Sequence, residues 1–429
     1  MTRALPVRRL SALRVLVALV LLTHAAAAHA DIISFTKRAA SEKFDQAVAA
    51  LGRGDLKQAD TLFQQVVESD PLRLYAALGH AQVALSQQRI KDADRAISAV
   101  LSQHAEMAEA HNMKGVVLLL QKRQEDARYE FSRAVELQAR YVTPRIYLAA
   151  LARESGRFAD ASSAYKALTD VAPGLPAGYV GQAEALMMMG KTPEAYTVLD
   201  AWKAHARSSV LPYQVLGSLY LANGERAKAV QELKAALVKN PGDAPTLKLL
   251  GDAYAASGDF KAAGEQYDAA VAADPKNVEA VIRTGDLKAR AGQTDRALEI
   301  YRRAIAIDPT NPVACNNVAW LLGDQGQQLD EALRLAQVAA KAGPAYVDAQ
   351  DTLGWVYYQR GHYSQAVTTL KNAKALDGKR TDVAAHLGLA YAKAGLTQQA
   401  LAELKRALAS TNAVPNRAEL ERTVASLSR

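Results

Sequence analysis

Two serines stand three residues ahead of a lysine, Ser34 with Lys37 and Ser163 with Lys166, a spacing used by serine acyl-enzymes. Neither has the companion motifs such enzymes need, and Ser163 falls within a helical stretch, so both read as incidental. The histidines beyond the first thirty residues, His80, His104, His111, His205, His362 and His386, show no metal-ligand spacing. They are expected at the surface or at helix ends. The single cysteine, Cys315, excludes an intrachain disulfide and occupies an apolar helical position, where a buried structural thiol is expected. His-Glu-x-x-His, paired Cys-x-x-Cys and a Gly-rich phosphate loop with lysine are all missing. The expectation is a protein without catalysis, cofactor or metal, acting by binding.

The elements that would present a binding surface begin after a leader. Arg3, Arg8, Arg9 and Arg14, an apolar run from Val15 to Leu22, and Ala28-His29-Ala30 before Asp31 have the form of a secretory signal with a small-x-small cleavage site. The run is short for a bilayer span, and Arg8-Arg9-Leu10 resembles a twin-arginine signal only weakly, so Sec export is expected. Asp31 stands where a lipoprotein needs cysteine, which points to a soluble periplasmic product without a membrane span. The net charge is +8, and the four leader arginines supply half of it. Basic and acidic residues are interleaved with no long like-charge run, so a nucleic-acid partner has no electrostatic support.

The 429 residues are half apolar and only 6% aromatic, with abundant alanine, a composition that suits close-packed helices better than sheets. Pro241, Pro275 and Pro309 recur every 34 residues. Between them Leu247, Leu250, Gly251 and Tyr254 precede Ala263 and Tyr267; the unit before has Tyr213, Leu216, Gly217, Tyr220, Ala229 and Leu233 at the same offsets. The next has Gly285, Ala297 and Tyr301, and later units have Leu353, Gly354 and Tyr357, then Leu387, Gly388 and Tyr391. Each unit reads as two antiparallel helices. Glycine marks a close helix crossing, a second glycine (Gly224, Gly258, Gly292) ends the first helix, and proline stops the second. No unit buries its apolar face alone, so the stack is the stable object.

These residues resemble the tetratricopeptide repeat, and the register extends to about eleven units. The resemblance implies an all-α, right-handed superhelical solenoid. Expected boundaries are a signal at 1–30, a lead-in at 31–39, about five units at 40–209, about six at 210–412, and a capping helix at 413–429. The unit with Trp320 has a longer internal connection, Gly323 to Leu329, and Ala206 to Leu211 reads as a bend. The family's first helices line a concave face, which assigns Asn316, Trp320, Asp351, Trp355 and Tyr358 to a partner-binding groove. Lys248, Asp252, Asp286 and Arg290 join the same face. An aromatic pair beside Asn and Asp suits an extended peptide segment of a protein partner, or an envelope complex subunit; it also suits sugar rings. Both tryptophans also fit as core between neighbouring helices. The implied role is a periplasmic adaptor or scaffold in envelope assembly or exopolysaccharide export, with a glycan- or solute-binding protein as the alternative.

Overall fold

The computed structural model describes residues 42–69, 73–410 and 417–428. The leader, Asp31, the Ser34 and Lys37 pair, Pro71 and Pro415 lie outside the described residues. Among those described, every regular element is a helix, and no helix is long and apolar enough to cross a membrane.

The chain divides into two compact units, residues 1–239 and 240–429. The first holds six helix pairs: α1 (Glu42–Gly52) with α2 (Leu56–Ser69), α3 (Arg73–Ser86) with α4 (Ile90–Gln103), α5 (Ala108–Leu120) with α6 (Gln124–Leu137), α7 (Val142–Glu154) with α8 (Phe158–Val171), α9 (Pro176–Met188) with α10 (Thr192–His205), and α11 (Leu211–Ala222) with α12 (Arg226–Lys239). The second holds five: α13 (Ala244–Ala256) with α14 (Phe260–Ala273), α15 (Val278–Arg290) with α16 (Thr294–Ile307), α17 (Pro312–Asp324) with α18 (Leu329–Ala342), α19 (Val347–Gln359) with α20 (Tyr363–Leu376), and α21 (Thr381–Lys393) with α22 (Thr397–Leu408). A last helix, α23 (Arg417–Leu427), lays a fully buried Leu420 into the core of the final pair, beside Leu389, Leu404 and Ala407.

The turn within each pair repeats with the 34-residue period, and its left-handed residue is glycine in nine pairs, from Gly54 to Gly395. In the second and third pairs Gln88 (φ 60°) and Lys122 (φ 63°) take that conformation without glycine's freedom. The ninth pair absorbs its extra residue between Gly326 and α18, where Gln328 is also left-handed at φ 45°. Prolines act as expected: α14 and α16 end just before Asp274 and Asp308, which are extended ahead of Pro275 and Pro309. Pro241 likewise follows the end of α12 by two residues.

At the crossing glycines the close neighbour is a side chain rather than the facing backbone. A Cβ on Gly251 would sit 2.4 Å from the Tyr267 ring, and one on Gly285 2.6 Å from that of Tyr301. Leucine fills the same role elsewhere, at 2.7 Å for Gly217 with Leu233, 2.5 Å for Gly354 with Leu370 and 2.7 Å for Gly388 with Leu404. Ala229, Ala263 and Ala297 of the second helices are fully buried, consistent with tight packing at positions that admit only a methyl.

The stretch from 206 to 211 interrupts no core. Trp202 and Leu199 of α10 share one apolar cluster with Val215, Leu216 and Leu219 of α11, and Tyr179 stacks on the Trp202 ring at 5.6 Å. The sixth pair, expected with the C-terminal set, therefore groups with the N-terminal unit.

Candidate interaction face

Ser163 donates to its own helix at Ala159 O, 3.1 Å away, and Lys166 pairs with Asp170, so serine and lysine do not meet. Cys315 is fully buried, its thiol 3.6 Å from Pro309 O and its pKa raised by burial. The chemistry that remains lies on the first helices of the C-terminal unit.

Two regions stand out there. The first is a ladder built on α13, α15 and α17. The Tyr267 ring lies on Gly251, and its hydroxyl donates to the adjacent Asp252 at 2.8 Å; Tyr301 repeats this over Gly285, donating to Asp286 at 2.7 Å. Arg283 bridges the two carboxylates, 3.2 Å from Asp252 and 3.1 Å from Asp286. Lys248 reaches Asp252 at 3.2 Å and Glu279 at 3.0 Å. Asn317 Nδ2 donates to Asp286 at 3.2 Å, and Asn316 Nδ2 donates to Asn317 at 3.3 Å. Burial pushes both tyrosine pKa values up, and the neighbouring aspartates push them further. The Lys248 ammonium holds Glu279 below the usual carboxylate range.

Lys248, Asp252 and Asp286 thus belong together as the sequence suggested, but Arg290 does not. Its guanidinium lies 4.1 Å over the Phe260 ring on α14, an arrangement that stabilises the cation on the aromatic face and takes it out of the ladder. Arg283, unremarked in the sequence, takes the bridging place.

The second region is an aromatic patch on α17, α19 and α21. Asn316, Asp351 and Trp355 are buried, at 6%, 5% and 4% exposure, whereas Trp320 and Tyr358 are half-buried and reach solvent. Trp355 stacks on Tyr358 at 5.0 Å and packs in the core with Ala385 and Leu389. Of the five groove residues read from the sequence, only Trp320 and Tyr358 present area to a partner. The other three stand behind them, because the first helices approach closely enough to enclose what lies between.

Holding this patch together is His386, which the sequence placed at a surface or helix end. It lies in the middle of α21 at 4% exposure. Its Nδ1 is 3.0 Å from both oxygens of Asp351, and its ring packs against Trp355 at 4.6 Å and Trp320 at 5.7 Å. Burial alone pushes the imidazole pKa down, but the Asp351 carboxylate outweighs it and holds the value above the ordinary one. The usable signal for His386 is position: residues two before each crossing small residue run Leu249, Arg283, Asn317, Thr352, His386, and all but the first are polar.

Two histidines of the N-terminal unit also lie against carboxylates. His80 lies 2.6 Å from Asp60, and His111 lies 2.6 Å from Glu130. Among the described residues no cluster could hold a metal ion.

Comparison with known proteins agrees with this architecture. No curated protein matches the sequence. The crystal structure of the APC/C hetero-tetramer Cut9-Hcn1 is similar at a TM-score of 0.50 and 14% identity, over 90% of this chain and 83% of that one. The yeast Tom70 structure is similar at a TM-score of 0.44 and 12% identity, over 90% of this chain and 95% of that one. At 14% identity the likeness to the Cut9-Hcn1 structure is one of fold. The tetratricopeptide repeat family model matches residues 44–93, 78–141, 215–277, 248–312 and 352–415, more than half of the sequence. The protein therefore belongs to the tetratricopeptide repeat family, whose stacked helix pairs typically serve as non-enzymatic scaffolds for protein–protein interaction.

Proposed function

We propose that this protein is an exported, periplasmic adaptor that works by binding alone, capturing an extended segment of an envelope protein on the Trp320 and Tyr358 patch. The observation that carries the binding site is the contrast in exposure within one cluster: two aromatic faces reach solvent while their supporting residues are buried. Large, rigid aromatic faces backed by a packed core are the usual anchors of binding energy, because little side-chain entropy is lost when a partner covers them. The periplasmic setting and a role in envelope assembly or exopolysaccharide export rest on the leader-like residues 1–30 and the family's usual employment.

Crosslinking in cells followed by pull-down tests this directly. Envelope proteins should be recovered with the wild-type chain and lost with Trp320→Ala, whose thermal stability stays close to wild type. Recovery unchanged by Trp320→Ala would overturn the assignment of the site. Saturable binding of an oligosaccharide in the absence of protein would replace the protein partner with a glycan.

A further inference from the structure

Among the described residues, His386 is the one ring that packs against both tryptophans of the patch. Three successive first helices each supply a ring, Trp320 from α17, Trp355 from α19 and His386 from α21, and the imidazole packs at 5.7 Å and 4.6 Å against the two indoles. Trp355 is fixed in two further ways: it stacks on Tyr358, and it packs in the core with Ala385 and Leu389. For Trp320, the half-buried indole, His386 is the only aromatic neighbour among the described residues. The histidine is in turn held on its other side by Asp351 Oδ1 and Oδ2, both 3.0 Å from Nδ1.

We propose that His386 is the positioning residue of the aromatic patch: anchored by Asp351, it sets the plane of the half-buried Trp320 indole from beneath, so that partner capture tracks the charge on one buried imidazole. This rests on the reading of the patch as a binding site. It assigns the coupling to a residue that itself stays out of reach of a partner.

The physical basis is that a buried imidazolium is attracted both to the carboxylate and to the electron-rich faces of the indoles, whereas the neutral ring keeps only one hydrogen bond and weaker ring contacts. The groups that face His386 are nearly all acidic. Asp351 comes from α19, Asp324 from α17 and Asp382 from its own helix, while Arg380 pairs with Asp382 and Asp348. From the far side, Glu403 of α22 is taken up by Lys374 and Arg406, and Glu419 of α23 faces Tyr358. The surroundings therefore favour the cation, so the ring keeps its charge to a higher pH than an ordinary histidine does.

The test uses the full chain labelled with 5-fluorotryptophan, whose three indoles give separate fluorine resonances. Over pH 5 to 9 the Trp320 and Trp355 signals should shift together, with one midpoint above the ordinary histidine value of about 6.5, and the His386 ring protons should share that midpoint. Trp202, stacked on Tyr179 in the other unit, should not follow it. In His386→Gln the shared shift should vanish, and pull-down of the crosslinked partner should fall and lose its pH dependence. If His386→Gln fails to fold, the shared midpoint in the wild-type chain alone decides the matter. A Trp320 resonance that does not move with His386, or a shift that persists without it, would overturn the proposal. A shared midpoint combined with partner recovery insensitive to Trp320→Ala would leave the positioning intact and sink the binding reading instead.

Discussion

The seventh and eighth repeats differ from the tenth and eleventh by one paired choice of residues. In the former the crossing glycine is followed by aspartate and covered by tyrosine: Gly251-Asp252 under Tyr267, Gly285-Asp286 under Tyr301. In the latter the same positions read Gly354-Trp355 under Leu370 and Gly388-Leu389 under Leu404. Tyrosine fills the space above the glycine and brings a hydroxyl that must be satisfied, which the next residue's carboxylate does. Leucine fills the space and asks for nothing, which frees the next position for an apolar or aromatic side chain. The ladder is consequently self-satisfied, with every carboxylate oxygen of Asp252 and Asp286 already accepting from a neighbour. The patch is not: Trp355 Nε1 and Asn316 Oδ1 are buried without a hydrogen-bond partner. A closed network holds adjacent repeats in register, whereas the patch keeps the half-buried faces of Trp320 and Tyr358 open to solvent.

Truncation should separate the two regions most sharply at Trp355. A buried indole packed against Ala385 and Leu389 should cost about 3–5 kcal/mol when cut to alanine, seen as an early unfolding transition. Trp320→Ala, cutting a half-buried ring, should cost much less and affect capture instead. Equal losses would erase the distinction between support and contact. Of the two places the sequence left open for Trp355, groove or core, a large loss would support core.

Next in size is the crossing itself. Gly251→Leu would drive a branched side chain into the Tyr267 ring, 2.4 Å from the new Cβ, and should destabilise by about 1–3 kcal/mol or more through overpacking. An unchanged melt would mean that the ring can swing clear, and that glycine and tyrosine are not a matched pair.

The match between hydroxyl and carboxylate can be measured by a double-mutant cycle on Asp286→Leu and Tyr301→Leu. Asp286→Leu strands the Tyr301 hydroxyl, Tyr301→Leu leaves Asp286 with Asn317 and Arg283 but removes its tyrosine donor, and the pair together reproduces the leucine arrangement of the later repeats. The double variant should therefore lose less than the two single losses combined, by on the order of 1 kcal/mol. Strict additivity would show that the ladder is not a unit.

Much of this was open to reading in the residues themselves. The proline spacing, the crossing glycines and the turn glycines recur because a stacked repeat imposes the same backbone demands every time, and such demands leave periodic marks. The left-handed turns at Gln88 and Lys122 carry no such mark, because glutamine and lysine stand where the other turns have glycine. Site residues obey no such period. His386 and Arg283 share a repeat position yet differ in partner, and their roles are set by what Asp351 or Asp252 offers from the adjacent first helix. Trp202 was passed over because it belongs to a second helix, away from the presumed groove, where it fills a core rather than making a surface.

The smallest expected effect comes from the N-terminal unit and tests whether a histidine–carboxylate pair means the same thing there. His111 has an acceptor at each ring nitrogen, Glu130 at 2.6 Å from Nδ1 and Ala105 O at 2.9 Å from Nε2, so both bonds can be made only by the doubly protonated ring. The hydrogen bond to Glu130 raises its pKa above the ordinary value. A histidine held more basic in the folded than in the unfolded chain contributes stability that is fully present below about pH 6.5. That contribution fades as pH climbs through the elevated folded value. His111→Gln should therefore cost more at pH 6 than at pH 9, by on the order of 1 kcal/mol for this part-buried pair. Since His111 has no indole neighbours, its titration should leave the tryptophan resonances still, which is what sets it apart from His386: a similar acidic pairing serves stability where it joins helices and positioning where aromatic rings rest upon it.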